Sequence, residues 1–374
     1  MRFTAKRALS ALAIIVTAAA TVTACSPGGA ANDPPNTSSP GASSGALGNA
    51  EQTAAFNKLY EATKKAGENQ VVIYGPSDSA EFYKTFEDRF PGIKVVVQQL
   101  QGAERDARLQ AEASSGNYAG DLAVDGSTPI AVLGNSGKCQ AFSPIMNVDK
   151  EWLPLDGKVA FVRVSIFGMV YNTNMLKKSD LPQTWEDLLD PKWKGKVTMV
   201  SPAAGGVTAY AFAQMLTPDS QAEKYGMSFM EKLKAQDFKY VAKDPLAPQA
   251  VATGDSPLAI LVFRPFYTQI EDKGAPIDYA FPLKADNMWT RSAVCELKNA
   301  PHPEATKLYM NWLYSPEGQE AIVKAGSYPV MPGIAGPGGL PPIDNVSLMY
   351  QLPLIEGLTD YNEAIKKVIG FFGS

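Results

Sequence analysis

The sequence predicts an α/β protein built as two lobes. Three observations lead there. Strand–turn–helix units recur along the chain, and the first of their helices sets Phe82, Phe86 and Phe90 on one face. Folding begins near Ala50, which leaves 374 − 50 = 324 residues for the globular part. A single core stops growing at roughly 250–300 residues, so a chain of this length divides.

Residues 1–24 read as a secretory signal. Arg2, Lys6 and Arg7 form a positive start, and an apolar run from Ala8 to Ala24 follows, broken only by Ser10 and threonines. The run is shorter than the roughly 20 residues a spanning helix needs. An uncleaved anchor helix is the alternative. The run closes in Val22-Thr23-Ala24-Cys25, which resembles the lipobox of bacterial lipoproteins, whose cysteine is lipidated and becomes the mature N-terminus.

Residues 25–50 read as a flexible tether. "SPGGAANDPPNTSSPGASSGALGNA" has almost no large apolar residue and cannot bury enough surface to fold. Gly41-Ala42-Ser43-Ser44-Gly45 matches the G-x-S-x-G nucleophile pattern, but that motif needs a strand before it and a helix after it. The formal charge is −4, and loss of the three signal cations makes it −4 − 3 = −7. A nucleic-acid partner is therefore not expected.

Of three cysteines, lipidation of Cys25 leaves Cys139 and Cys295, an even pair in an exported chain. A disulfide leads, with two separate buried thiols as the alternative. A metal site is disfavoured, because the lone His302 lies between Pro301 and Pro303, far from either cysteine in sequence.

After the tether, Val71 to Tyr74 reads as a strand and Gly75-Pro76-Ser77-Asp78 as a turn. Phe82, Phe86 and Phe90 mark one face of a helix that Pro91-Gly92 stops. Ile93 to Val97 is the next strand, Ala103 to Ser114 a helix, and Asp121 to Val124 a strand ending in Asp125-Gly126-Ser127. The pattern repeats later: strand Lys196 to Val200, the turn "SPAAGG", helix "VTAYAFAQML", then strand Leu258 to Phe263 and a helix from Tyr267 to Lys273. Ala305, Leu308, Tyr309, Trp312 and Leu313 follow helical spacing, and Ser315-Pro316 looks like the cap of another helix.

"VYNTNMLKKSDLPQTWEDLLDPKWKGKVTM" (Val170 to Met199) resembles a segment of the extracellular solute-binding proteins of ABC importers, in the group that carries ferric iron, thiamine and phosphonates. "HPEATKLYMNWLYSPEGQEAIVKAGSYPV" resembles their C-terminal helix pair, and "VVIYGPSDSAEFYKTFEDRFPGIKV" their first βαβ unit. The resemblance implies a type 2 periplasmic-binding-protein fold, two α/β lobes joined by two crossover segments with a ligand cleft between them. The crossovers fall within "KVAFVRVSIFGMV" and "FPLKADNMWTRSAVCELKNA". Lobe 1 is then 51–163 with 290–374, and lobe 2 is 164–289. Cys139 and Cys295 both fall in lobe 1. The implied partners are a small solute, the permease and ATPase subunits of an importer, and the membrane through lipid at Cys25, outside the cytoplasmic membrane. A monomer without cofactor is expected.

In open α/β sheets ligands bind beyond the carboxyl ends of the strands. That rule selects four loops, carrying Ser77 and Asp78; Gly126 and Ser127; Ala204, Gly205 and Gly206; and Arg264, Phe266 and Tyr267. The Gly205-Gly206 turn opens a helix and offers free N–H groups to an anion, though an ordinary turn is the plain alternative. In "VAFVRVSIFGMV", period two puts Phe161, Arg163, Ser165 and Phe167 on one face and Val162, Val164 and Ile166 on the core face. Arg163 is thus a candidate for the cleft wall or for a solvent-facing edge, and Arg291 is weighed the same way.

Ferric-binding relatives carry adjacent tyrosines where Arg264-Pro265-Phe266 stand, which leaves only Tyr267. This departure favours an anionic organic or phosphorus-containing solute held by Arg264 over ferric iron. A salt bridge from Arg264 to Glu271 is the plain alternative. An enzyme, such as a glycosidase with paired carboxylates, is the competing class, but H-E-x-x-H, P-loop and Rossmann motifs are absent and His302 is poorly placed as a base.

Overall fold

A computed structural model describes residues 47–373, apart from 218–223, 272, 281–282, 339 and 350–356. The signal, Cys25 and the G-x-S-x-G match lie outside the described residues. Helix α1 (Ala50–Ala66) starts where the tether was expected to end. Asn49 caps it: its side chain accepts from the Gln52 N–H, and Gln52 accepts from the Asn49 N–H in return.

The first lobe follows the expected grammar. β1 (Gln70–Tyr74), α2 (Ala80–Arg89), β2 (Lys94–Gln98), α3 (Gly102–Ser115) and β3 (Leu122–Gly126) run in order. β1 pairs in parallel with β2 and β3. Phe82, Phe86 and Phe90 are buried together against Tyr309 and Trp312. α4 (Ser127–Asn135) starts directly at Ser127, so the expected loop there is a helix start. β4 (Cys139–Gln140) and β5 (Ala160–Ile166) follow.

The chain then enters the second lobe. It comprises β6 (Gly168–Asn172), β7 (Val197–Val200), α5 (Gly206–Ala213), α6 (Gly226–Lys234), β8 (Lys239–Val241), α7 (Leu246–Ala252), β9 (Leu258–Val262), α8 (Arg264–Glu271) and β10 (Ile277–Ala280). α8 begins at Arg264, three residues before the predicted Tyr267, because Pro265 fits a first helical turn, where no N–H is needed. β11 (Trp289–Leu297) returns to the first lobe, followed by α9 (Pro303–Leu313), α10 (Pro316–Lys324) and β12 (Tyr328–Pro329). α11 (Leu358–Gly373) closes the chain.

The first sheet has the order β12-β5-β11-β3-β1-β2, with β4 also on β11; the second is β10-β6-β9-β7-β8. Phe167 links them between β5 and β6, and its N–H donates to the Met288 carbonyl on the return path, 3.0 Å away. A third segment joins this hinge. The Asn287 N–H donates to Ser347 and the Met349 N–H to Asn287, both at 2.9 Å. The Trp289 indole donates to the Met349 carbonyl at 2.8 Å.

The C-terminus departs from expectation. The expected lobe 1 span is 290–374, yet α11 packs on lobe 2, against α5 and the turn Pro202–Ala204. Ile365, Val368, Ile369 and Phe372 complete the second core, which explains why α5 is apolar nearly all round. Cys139 and Cys295 do share the first sheet, with Cα atoms 5.7 Å apart and sulfurs at bonding distance. Strand pairing places Cys139 beside Leu297 and Gln140 beside Glu296.

Candidate interlobe binding cleft

Between the lobes lies a cleft of about 540 Å³. Ser77, Asp78, Gly126, Arg163 and Ser165 line its lobe 1 side, with Thr290 and Ser292 from β11 and Lys324 and Ser327 from the α10–β12 corner. Asp244, Phe263, Pro265, Phe266, Thr268 and Gln269 form the lobe 2 side. The alternation read in β5 holds: Arg163 and Ser165 reach the cleft, while Val162, Val164 and Ile166 join the core.

Asp78 and Arg163 meet there as an ion pair, Nη1 to Oδ1 at 2.7 Å, with side chains only 16% and 13% exposed. The Arg163 Nε also donates to the Ser292 hydroxyl at 3.1 Å. Burial alone would weaken the arginine as a cation, but Asp78 outweighs it and raises its pKa. The Asp78 N–H donates to the Tyr83 hydroxyl at 2.8 Å. Burial, with Asp78 beside it, pushes the Tyr83 phenol up to about 12. Asp125 is tied to the buried Arg105, Nη1 to Oδ2 at 2.9 Å, and accepts from the Gly126 N–H. Burial still raises its carboxyl above the ordinary range.

The other predicted residues sit elsewhere. Ser127 is buried in the first turn of α4, where Tyr210 of α5 approaches it. Ala204, Gly205 and Gly206 lie at the α5 start, and α11 covers that turn: a Cβ on Gly205 would rest 3.6 Å from Ile369. The glycine-opened helix end therefore meets α11 and does not line the cleft. Arg264 spans the lobes. A Cβ on Gly326 would lie 3.2–3.4 Å from its stem, and its guanidinium sits 5.7 Å from the Tyr279 ring centre. It forms no ion pair with Glu271 among the described residues. Tyr267 is buried against Tyr279, and burial followed by the nearby Glu271 raises its phenol well above the ordinary value. Arg291 stacks on Trp289 and Phe161, at 4.4 and 5.4 Å.

Sequence reasoning missed Asp244, Phe263 and Lys324 as cleft residues. Phe263 ended a predicted strand, so its position at the carboxyl end was a usable signal. Asp244, in the loop after β8, had none. Phe263 rests on the hinge residue Phe167, ring centres 4.4 Å apart, and reaches Phe266 at 6.5 Å. Just before it, Leu261 takes a left-handed φ of 55°. The pairing of β6 with β9 shifts register around this residue, as at a bulge.

Residues 81–339 match the family described as bacterial extracellular solute-binding protein. The major ferric iron-binding protein of Neisseria meningitidis is 24% identical over 200 residues, 52% of this chain and 57% of that protein. The chain spans about half the length of the curated relatives it matches. Among solved structures, iron-bound HitA from Pseudomonas aeruginosa superposes with a TM-score of 0.67 at 20% identity, covering 82% of this chain and 99% of HitA. The periplasmic binding protein AfuA from Actinobacillus pleuropneumoniae, with fructose-6-phosphate bound, gives 0.66 at 21% identity, covering 80% and 98%. The protein belongs to the bacterial extracellular solute-binding protein family and has the two-lobed fold of type 2 periplasmic binding proteins.

Proposed function

We propose that this protein is the capture component of an ABC importer. A small organic solute enters the cleft, the lobes close on it, and the loaded protein delivers it to a membrane permease driven by its ATPase. One observation carries the reading: a cleft of about 540 Å³, lined from both lobes, with hydroxyls and amides on its walls and an aromatic pair on one side. Ser77, Asp78, Gly126, Arg163 and Phe266 are the sequence-selected residues that this reading keeps as solute contacts. Family membership favours binding over catalysis.

The ferric alternative draws on relatives whose names include iron. Among the described residues no tyrosine, histidine or cysteine lines the cleft, so the hard phenolate donors are not gathered there. The anionic alternative rests on Arg163 and Lys324, since Arg264 and the Gly205-Gly206 turn lie outside the lining. The same reading includes export, lipid at Cys25, attachment outside the cytoplasmic membrane, a Cys139–Cys295 disulfide and a monomeric state. Among the described residues no helix is long and apolar enough to cross a membrane.

Native mass spectrometry of freshly purified protein, followed by thermal-shift titration, tests capture. The panel is ferric citrate, sugar phosphates, phosphonates, carboxylates, sugars and amines. We expect one class to give a saturable shift that Phe266→Ala weakens. A protein that retains nothing and shows no saturable shift would overturn the reading, as would chemical turnover of the bound solute. Cys25→Ala should move the protein from the membrane fraction to the soluble one.

A further inference from the structure

We infer that the cleft is built for a dipolar amine, a small solute with a cationic nitrogen at one end and an anionic or acceptor group at the other. The cationic end rests on lobe 2 between Asp244 and the Phe263–Phe266 rings, and the acceptor end on lobe 1 at Arg163. This inference rests on the capture function proposed above and names the solute class for that cleft.

The charges of the two walls differ in kind. On the lobe 1 wall Asp78 holds Arg163, and Arg105 holds Asp125 from behind the lining. The remaining lobe 1 charges, Glu81 and Lys324, are one of each sign. That wall is balanced. On lobe 2 the lining holds a single charged residue, Asp244. Its carboxylate accepts from its own backbone N–H but has no ion pair or hydrogen bond to another side chain among the described residues, and it is only partly exposed. Burial holds its carboxyl above the ordinary range. A partly desolvated carboxylate without a cationic partner is costly, and a cation from the solute relieves that cost. Phe263 and Phe266 line the same wall, and aromatic faces attract organic cations.

Arg163 supplies the other end. Its Nη1 goes to Asp78 and its Nε to Ser292, so Nη2 has no protein partner among the described residues. Because Asp78 already balances its charge, Arg163 presents a donor without a net positive field. A pure anion therefore meets a lobe 1 wall of no net charge and a carboxylate opposite it, whereas a dipolar solute satisfies both walls.

Isothermal titration with 5-aminopentanoate, pentanoate and pentylamine tests this on the native protein. We expect 5-aminopentanoate to bind at least tenfold more tightly than either single-charge probe. Asp244→Asn should erase its advantage over pentanoate, by weakening 5-aminopentanoate and relieving the repulsion of pentanoate, and Asp244→Glu should keep part of it. Pentanoate binding as tightly as 5-aminopentanoate, or an Asp244→Asn variant that keeps the preference, overturns the inference. If Asp244→Asn does not fold, the three probes on the native protein decide alone. Should none of the three bind while the wider panel finds a solute, the dipolar inference falls and capture stands. A protein that binds nothing overturns both.

Discussion

Glu296→Gln should stabilise the protein above neutral pH and leave it unchanged near pH 5. Glu296 lies on β11 beside the Cys295 position, is 3% exposed, and accepts from the Gln140 Nε2 at 2.7 Å. Burial raises its carboxyl from 4.5 to about 7, against the smaller pull of Lys307. The folded state therefore holds a proton that the unfolded chain loses first. Stability is full below pH 4.5 and is lost as pH rises through 7. The shift, 7 − 4.5, corresponds to about 3 kcal/mol at full ionisation. Glutamine is neutral throughout and keeps an oxygen for Gln140, so the variant escapes this loss. Urea unfolding from pH 5 to pH 8 measures it. The native curve should fall relative to the variant by about 2–3 kcal/mol across that range. Parallel curves would refute the reasoning, because they would mean that Glu296 titrates alike folded and unfolded.

Arg163→Gln leaves the mostly buried Asp78 without its ion-pair partner, and should cost about 3 kcal/mol in urea unfolding. Adding Asp78→Asn should recover most of that loss; no recovery would show that the pair is not coupled. Replacing Cys139 and Cys295 by Ser should cost about 2–4 kcal/mol, below the roughly 5 kcal/mol that chain entropy gives for a separation of 156 residues. Non-reducing peptide mapping that finds both thiols free would remove its basis. A methyl on Gly168 would fall 2.3 Å from the Tyr279 ring, whose hydroxyl is tied to the Val262 carbonyl at 3.1 Å. Gly168→Ala should therefore cost about 1–3 kcal/mol, and an unchanged melting temperature would show that Tyr279 moves freely.

The local grammar was legible because it is written in short-range physics. The three phenylalanines of α2, the turn before it and the alternation in β5 each depend on residues within a few positions. Asp78 and Phe266 were placed by the rule that strand ends point to the cleft, and Arg163 by the alternation along β5. The pairing of Arg163 with Asp78 did not, because the two are 85 residues apart and nothing local joins them. The same holds for the Gly205-Gly206 turn, which reads as an open helix end until α11 arrives from more than 150 residues further on. Arg264 misled for a related reason. An arginine after an apolar run calls for a partner, and its guanidinium rests over the Tyr279 ring, which carries no charge to flag it.

The position of α11 bears on how the chain is made. A ribosome releases residues in order, and the second core closes only when Ile365, Val368 and Phe372 have emerged. Until then α5 and the Pro202–Ala204 turn lack their cover, although every strand of the second sheet has been synthesised since Ala280. The first lobe waits as well, since β11 and α9 come after that sheet. Neither lobe is a contiguous stretch, so no single cut yields either one whole. A chain stopped just before Leu358 carries the strands and helices of the first lobe but leaves α5 and the Pro202–Ala204 turn of the second without their cover, which makes such a stop a defect of folding.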